Sequence, residues 1–221
     1  MKQKIYVHVA DDHKILIEGI IAVINTDDDI EISGYSLTGK EVTNWFEDKN
    51  NKADVLILDI TMPILDGFEV LKHFNKNKID QKVIILSSYD DIKIVQEMLN
   101  LGCKGYITKN YAGEHIVKAI KAVAKGDQYF SDDIQKILLQ SLSKERIPEG
   151  DLPNKFLLET LTERELDVLR LITKQLSTPE IADKLNVSAS TIDSHRKKLL
   201  KKLKVKNAVG LAMYAVKNKI V

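Results

Sequence analysis

The sequence predicts an α/β domain built on a doubly wound parallel sheet of five strands, followed by an all-α domain of four helices. Two observations support this prediction. Short apolar segments alternate five times with segments of helical periodicity up to Lys125, and after residue 159 only the helical periodicity remains. Residues 1–154 hold 19 Lys and Arg against 25 Asp and Glu, whereas residues 155–221 hold 14 against 7. The second module therefore has the charge balance that attracts polyanions.

The composition is that of a globular protein. Hydrophobic residues make up 44% and charged residues 29% of the chain, which is enough for a substantial core. No apolar run approaches the roughly 18 residues of a membrane helix, and no signal-peptide core follows the N-terminus. We therefore expect a cytoplasmic protein with no membrane partner. Cys103 is the only cysteine, which excludes an intrachain disulfide and a multi-thiolate zinc site.

The first module predicts five strand and helix pairs. The predicted strands are residues 5–10, 30–36, 55–59, 82–87 and 104–108. The predicted helices are residues 12–25, 38–49, 66–75, 91–101 and 112–125. Because a helix follows each strand, the strands should be parallel and the helices should cover both faces of the sheet, as in a flavodoxin-like fold.

The second module begins after a segment with two prolines and no apolar period, which predicts a linker at residues 131–159. Residues 134–142 of this linker could form one more short helix. Thr162 and Glu165 form a capping box at the start of the first helix. A second helix starts at Ser177, a third covers residues 189–203, and Asn207 caps a fourth. These patterns divide the chain into domain 3–130, linker 131–159 and domain 160–221.

Polar and acidic residues stand at the carboxyl ends of the predicted strands. Asp11 and Asp12 follow the first strand, Asp59 ends the third, Ser87 ends the fourth, and Lys109 follows the fifth. Doubly wound topology brings these ends together. Converging carboxylates raise each other's pKa values, and a divalent cation with oxygen ligands would hold them in place. We therefore expect a Mg²⁺ site.

This pocket has a definite chemistry. Asp59 can attack a phosphoryl group while Mg²⁺ neutralises the charge that develops. Lys109 can then pair with the acyl phosphate, and Ser87 can hydrogen-bond to one of its oxygens. Simpler roles exist for single residues: Asp11 and Asp12 as helix caps, and Lys109 as a solvated loop charge. The convergence of all of them favours the phosphoryl pocket.

Residues 3–130 resemble a response-regulator receiver domain. The resemblance lies in Asp11-Asp12-His13, in Leu58 to Pro63 with Asp66-Gly67, in Leu86-Ser87, and in Gly105 to Lys109. These motifs are specific because they lie on four separate strands.

The resemblance implies a role for each pocket residue. Asp59 would be the phosphoacceptor, and Asp12 and Asp59 would bind Mg²⁺ directly together with the Thr61 backbone carbonyl. Asp11 would act through water. Ser87 stands where Thr is more frequent and still offers a hydroxyl. Tyr106 would be the switch aromatic, turning inward when Ser87 engages the phosphoryl group; the alternative is an ordinary half-buried strand tyrosine.

The third helix of the second module has two different faces. Ile192, Leu199 and Leu203 lie within a narrow arc. The opposite side carries Ser190, Asp193, Ser194, Lys197 and Lys201. Residues 193–206 contain seven basic residues and one acid, a concentration suited to phosphate contacts, although a solvated amphipathic helix is the alternative. A helix, a short turn and this second helix predict a helix-turn-helix that enters the major groove.

Residues 160–221 resemble the LuxR-type output domain of the NarL/FixJ class. The matching motifs are Leu161 to Glu165, Glu180 to Ala182, Leu185, Val187-Ser188, Thr191 to His195, and Lys202-Leu203. The residues expected at DNA are Ser190, Thr191, Asp193, Ser194, His195, Lys197, Lys198 and Lys201. The resemblance implies that positions 193, 194 and 197 reach base edges.

Individual positions on this helix differ in what we expect of them. Lys197 could donate to guanine. Asp193 departs from the basic or hydroxylic residue frequent at its place, so it would accept from cytosine N4 or be tolerated beside the backbone. We interpret His195 as a packing or phosphate-contact residue, because no second metal ligand is near.

We interpret the chain as a two-component response regulator that is not an enzyme beyond slow self-dephosphorylation. A sensor histidine kinase would phosphorylate Asp59, and the active protein would bind double-stranded promoter DNA as a homodimer. A DNA-binding regulator with a phosphorylation-independent receiver is the alternative. A haloacid-dehalogenase-like phosphatase would need Asp where Thr61 stands, and Asp11-Asp12 would repel the phosphate of a flavin or nucleotide.

Overall fold

The computed structural model describes residues 4–142, 157–158, 161–218 and 220. The chain divides into two compact units, Met1–Leu152 and Pro153–Val221. In the described ranges, no helix is long and apolar enough to cross a membrane. The domain limits 3–130, 131–159 and 160–221 stay a prediction.

The first unit is built on one parallel sheet. Its strands are β1 (Ile5–Ala10), β2 (Ile30–Ser36), β3 (Val55–Leu58), β4 (Val83–Ser87), β5 (Gly105–Thr108) and β6 (Tyr129–Phe130). Their order is β2-β1-β3-β4-β5-β6, and neighbouring strands run parallel. Every residue of β3 and β4 is buried, as expected for strands covered on both faces. The predicted doubly wound architecture is confirmed.

Helices cover both faces of this sheet. They are α1 (Lys14–Ile24), α2 (Gly39–Glu47), α3 (Gly67–Asn77), α4 (Ile92–Asn100), α5 (Ala112–Lys125) and α6 (Asp132–Leu142). Val7 and Val9 of β1 belong to the same buried cluster as Ile20 of α1 and Ile120 of α5. The alternate residue His8 contacts Trp45 of α2, with ring centroids 4.2 Å apart. Alternation along β1 thus directs its side chains to two different helical layers.

The sheet has one more strand than the sequence predicts. The expected five strands are present, and β6 adds a sixth beside β5. It has only two residues and no alternating apolar pattern, so periodicity does not reveal it. Within the predicted linker, the possible short helix at residues 134–142 is confirmed as α6, whose Ile134 is 0% exposed. Most of the remaining predicted linker lies outside the described residues.

The second unit is helical throughout its described part. Its helices are α7 (Glu163–Thr173), α8 (Thr178–Leu185), α9 (Ala189–Lys202) and α10 (Ala208–Lys217). The capping box at α7 is confirmed: Glu165 N donates to Thr162 Oγ1 at 3.2 Å, and Thr162 N donates to Glu165 Oε2 at 2.9 Å. Asn186 adopts the left-handed conformation at the turn from α8 to α9. This short turn fixes the relation of the two helices.

The burial of Ile134 predicts that α6 stabilises the first unit. Ile134→Ala should lower its free energy of unfolding by roughly 2–5 kcal/mol, because the methyl groups removed leave a cavity. Leu139→Ala is the matched control, because Leu139 lies on the same helix and is 67% exposed; its effect should stay within about 0.5 kcal/mol. Urea unfolding followed by fluorescence of Trp45, the only tryptophan, reports this unit. Equal effects of the two substitutions would contradict the packing of α6.

Candidate functional site

Two carboxylates and one ammonium group meet at the carboxyl edge of the sheet. Asp11 follows β1 and Asp59 follows β3, and each residue is 1% exposed. Lys109, which follows β5, places Nζ 2.7 Å from Asp11 Oδ2 and 3.0 Å from Asp59 Oδ2. The strand order reverses between β1 and β3, so this pocket lies at the topological switch point of the sheet.

Asp59 is held by backbone and side-chain contacts. Its Oδ1 accepts a hydrogen bond from Ile60 N at 2.7 Å, and its Oδ2 lies 3.4 Å from Thr61 Oγ1. Burial raises the pKa of Asp59 to about 6, although Lys109 lowers it, and Asp11 adds to the increase. The carboxylate is therefore ionised at neutral pH and available as a nucleophile.

Lys109 stays cationic in this surrounding. Burial lowers its pKa, but Asp59 and Asp11 outweigh burial, so the pKa of Lys109 lies above its ordinary value. Two buried carboxylates thus face one ammonium group, which leaves an excess of negative charge. An arriving cation or an electrophilic phosphoryl group would meet a favourable potential here.

The acidic cluster has the chemistry of a divalent metal site. One ligand atom from each of Asp11, Asp12, His13 and Asp59 lies within 4.8 Å of the others. Carboxylate oxygens are the ligands that Mg²⁺ prefers, and Asp12 is exposed, so the site opens to solvent. His13 Nδ1 lies 2.8 Å from Asp12 Oδ1 and 3.1 Å from Asp11 Oδ1. The Thr61 carbonyl as a ligand stays a prediction.

Ser87 and Tyr106 lie on neighbouring strands behind the pocket. Both residues are 0% exposed. Ser87 Oγ accepts a hydrogen bond from Tyr89 N at 3.2 Å, and the Tyr106 hydroxyl donates to Tyr89 O at 2.7 Å. Tyr106 is thus fully buried in an inward orientation rather than half-buried. Burial raises the pKa of Tyr106, which keeps its hydroxyl protonated as a donor.

The loop after β3 brings α3 close to Asp59. A Cβ atom on Gly67 would lie 2.7 Å from the Asp59 carbonyl oxygen, so only glycine allows this approach. Asp66 caps α3 by accepting from Glu69 N at 2.8 Å. The Asp66-Gly67 pair therefore fixes the backbone beneath the pocket rather than contributing a reacting group.

One contact of the pocket region lies outside the predicted residues. Thr108 Oγ1 donates to Asp133 Oδ2 at 2.7 Å. Thr108 is the residue before Lys109, whereas Asp133 lies in α6. No motif or periodicity in the sequence indicates this bond, because its partners are 25 residues apart.

The predicted DNA-contacting residues divide by exposure on α9. The exposed ones are Ser190, Asp193, Ser194, Lys197, Lys198 and Lys201. Ile192 and Leu199 are buried on the other side, in agreement with the two predicted faces. Thr191 and His195 are half-buried. Thr191 Oγ1 lies 2.8 Å from Ser188 Oγ in the cap of the helix, and burial lowers the pKa of His195.

Polar contacts join the start of α8 to the side of α9 that carries Asp193. Thr178 Oγ1 donates to Asp193 Oδ1 at 3.3 Å, and Arg196 Nη1 donates to Thr178 Oγ1 at 3.1 Å. Asp193 therefore lies on the flank of the exposed face that is nearest to the start of α8. Sequence reasoning did not single out Thr178 or Arg196, since neither belongs to the exposed face.

The fold and the two sites define a regulator with an acidic phosphoryl-type pocket in one unit and a helix-turn-helix in the other. A family model of the response regulator receiver domain matches residues 7–121. A model of the luxR family of bacterial regulatory proteins matches residues 159–215.

Known proteins resemble the chain over its whole length. The transcriptional regulatory protein MctR of Rhizobium johnstonii is 34% identical over 100% of this chain and 97% of its own length. RcsB of Salmonella enterica serovar Typhimurium, bound to a promoter with the phosphomimetic BeF3-, is 27% identical with a TM-score of 0.58, covering 96% of this chain and 98% of RcsB. A structure of two RcsB dimers bound to two parallel DNAs gives the same identity and TM-score, and the match covers 97% of this chain and 98% of RcsB.

The chain belongs to the response regulators that join a receiver domain to a LuxR-type helix-turn-helix domain. These matches confirm the two family resemblances that the sequence motifs indicated.

The raised pKa of Asp59 predicts that its charge destabilises the first unit. The folded unit holds a proton on Asp59 up to about pH 6, whereas an ordinary aspartate loses it near 3.8, so ionisation at neutral pH costs stability. Asp59→Asn should raise the free energy of unfolding at pH 7 by about 1–3 kcal/mol. The gain should shrink as the pH falls from about 6 to about 4.

The measurement is urea unfolding of the full chain between pH 4 and 8, followed by Trp45 fluorescence. Asp12→Asn is the control, because the Asp12 side chain is 35% exposed. An Asp59→Asn protein that is less stable than the parent at pH 7 would refute this account of the pocket.

Proposed function

We propose that Asp59 accepts a phosphoryl group from a sensor histidine kinase, with Mg²⁺ bound by the adjacent acids, and that this changes DNA binding or dimerisation. The observation that carries the proposal is the position of the Asp59 carboxylate. It is 1% exposed at the switch point of the sheet, 3.0 Å from the Lys109 ammonium and within the acidic cluster. The full-length likeness to regulators supports it.

The transfer exchanges one bond to phosphorus for another. An oxygen of Asp59 attacks the phosphorus of a phosphohistidine, the N–P bond breaks, and the imidazole nitrogen leaves with its electron pair and takes up a proton. Asp11, Asp12 and Asp59 would hold Mg²⁺, with the Thr61 carbonyl as a further ligand. The ion supplies charge neutralisation for the phosphoryl oxygens. Lys109, whose Nζ lies 3.0 Å from Asp59 Oδ2, would pair with one of these oxygens.

Ser87 and Tyr106 would report the phosphoryl group to the rest of the unit. The Ser87 hydroxyl would donate to a phosphoryl oxygen, and the movement this requires would be passed to Tyr89, whose N–H donates to the same Ser87 oxygen. The Tyr106 hydroxyl already donates to Tyr89 O, so the 87–89 segment and Tyr106 would respond together. We propose that this segment is the first part of the protein to respond.

The protein is a regulator rather than an enzyme, and we propose that any self-dephosphorylation is slow. We place it in the cytoplasm, where chromosomal DNA is found. The exposed face of α9 would enter the major groove, with Asp193, Ser194 and Lys197 at base edges and Ser190, Lys198 and Lys201 near phosphates. Thr191 would cap the helix, and His195 would pack beneath it. As RcsB binds DNA as dimers, we propose a homodimer here.

The first test is phosphorylation with a small donor. The purified full chain, incubated with Mg²⁺ and acetyl phosphate, should gain one phosphoryl group by intact mass, whereas Asp59→Ala should gain none. Asp80→Ala is the control, because Asp80 is exposed and precedes β4 at the opposite edge of the sheet. A parent that stays unmodified, beside a receiver that is modified under the same conditions, would favour the phosphorylation-independent regulator.

The second test addresses the proposed contacts of α9 with DNA. Binding-site selection from a random duplex pool should return two half-sites about one helical turn apart, each with a preferred guanine. Lys197→Ala should lose roughly 1–3 kcal/mol of preference at that guanine, because a bidentate lysine contact is removed. Lys217→Ala removes an equal charge from α10 and should keep the motif. An unchanged motif in Lys197→Ala would rule out this base contact.

A further inference from the structure

The receiver domain is extended by a segment outside the residues that the family model matches. The model ends at residue 121, but β6 and α6 continue the same unit. Ser131, just before α6, and Ile134, within α6, are both 0% exposed. We refer to residues 129–142 as the β6–α6 segment. Its burial shows that it is an integral part of the unit.

The segment is bonded to β5 at two levels. Phe130 is paired with Tyr106, and Ser131 N donates to Tyr106 O at 3.1 Å. Two residues further along β5, Thr108 Oγ1 donates to Asp133 Oδ2 at 2.7 Å. The first contact is with the buried tyrosine behind the pocket. The second contact is with Thr108, the residue directly before Lys109.

Burial, the helix dipole and the charge of the acceptor all favour the Thr108–Asp133 hydrogen bond. Thr108 is 5% exposed, and Asp133 lies in the first turn of α6, where the helix dipole favours a carboxylate. Burial raises the pKa of Asp133, but hydrogen bonds, including the one from Thr108, outweigh burial, and the pKa lies below its ordinary value. Asp133 is therefore ionised at neutral pH, and a hydrogen bond to an ionised acceptor is stronger than a neutral one.

We propose that Asp133 is a positioning residue of the phosphorylation site, which fixes Lys109 through Thr108 and so couples the pocket to α6. The proposal rests on the proposed phosphorylation of Asp59. Lys109 contacts Asp59 and Asp11 at 3.0 and 2.7 Å, so a small displacement of its backbone changes both distances. Asp133 holds the residue on the N-terminal side of Lys109, where such a displacement would begin.

Coupling of this kind acts in both directions. If Asp133 favours the reactive position of Lys109, then a phosphoryl group that engages Lys109 must in turn strengthen or weaken the hold on α6. α6 is the last helix of the first unit among the described residues, and the chain continues from it toward the helix-turn-helix unit. Asp133 therefore lies on the stretch of chain that connects the phosphorylation pocket to the helix-turn-helix unit.

The test compares initial rates of phosphoryl gain from acetyl phosphate and Mg²⁺, measured by intact mass on the full chain. Thr108→Val keeps the shape of the side chain and removes the donor, and Asp133→Ala removes the acceptor. Each should slow the reaction by roughly five- to tenfold, as expected if the reaction loses about the net contribution of one ordinary hydrogen bond. The double variant should be no slower than either single one, because both remove the same bond.

Two controls separate positioning from general loss of stability. Thr108→Ser restores the hydroxyl and should return the rate to within about twofold of the parent. Thr43→Val removes another buried hydroxyl, which donates to Lys40 O within its own helix, and it should leave the rate unchanged.

The outcomes are distinct. A parental rate in Thr108→Val, additive slowing in the double variant, or equal slowing in Thr43→Val would overturn the role of Asp133. A parent that gains no phosphoryl group would instead overturn the proposed function.

Discussion

The structure of the pocket depends on the pairing of one buried ammonium group with two buried carboxylates. Lys109 lies 2.7 Å from Asp11 and 3.0 Å from Asp59. The strands before the two acids, β1 and β3, are neighbours where the sheet reverses its order, and Lys109 reaches them from the end of β5. A buried carboxylate without a counter-charge would be neutralised by a proton. Lys109 keeps Asp59 ionised at neutral pH, yet the pairing is incomplete, because two negative charges face one positive charge. This imbalance makes the pocket receptive to a cation.

Much of the fold and of this pocket could be predicted from local sequence. Val55 to Leu58 are continuously apolar and end at Asp59, so both the buried strand and its reactive end are visible in five residues. Asp66 and Gly67 mark a capped helix start and a close backbone approach, and the structure has both. On α9, the periodicity of Ile192 and Leu199 separated the buried face from the exposed one. In each case the information lies within a few residues of the feature.

The contacts that could not be predicted join residues distant in sequence or lack any pattern. Thr108 and Asp133 are 25 residues apart, and although Thr108 belongs to the motif that ends at Lys109, nothing in the sequence pairs it with Asp133. β6 is too short for an alternating pattern, because two residues cannot define a period. The pairing of Asp193 with Thr178 depends on how α8 and α9 cross, which the sequence does not encode locally. His13 was visible in its motif, but not its approach to both neighbouring acids.

The sixth strand also decides what the sheet exposes to other molecules. A strand at the edge of a sheet offers unpaired backbone groups, and these can recruit the edge of another chain into an intermolecular sheet. β6 pairs with Gly105 and Tyr106, and α6 covers the other end of β5 through Thr108. A receiver fragment that stops at Lys125 would leave β5, an apolar strand, as a bare edge. The β6–α6 segment thus shields part of an edge that would otherwise be open to pairing with another chain.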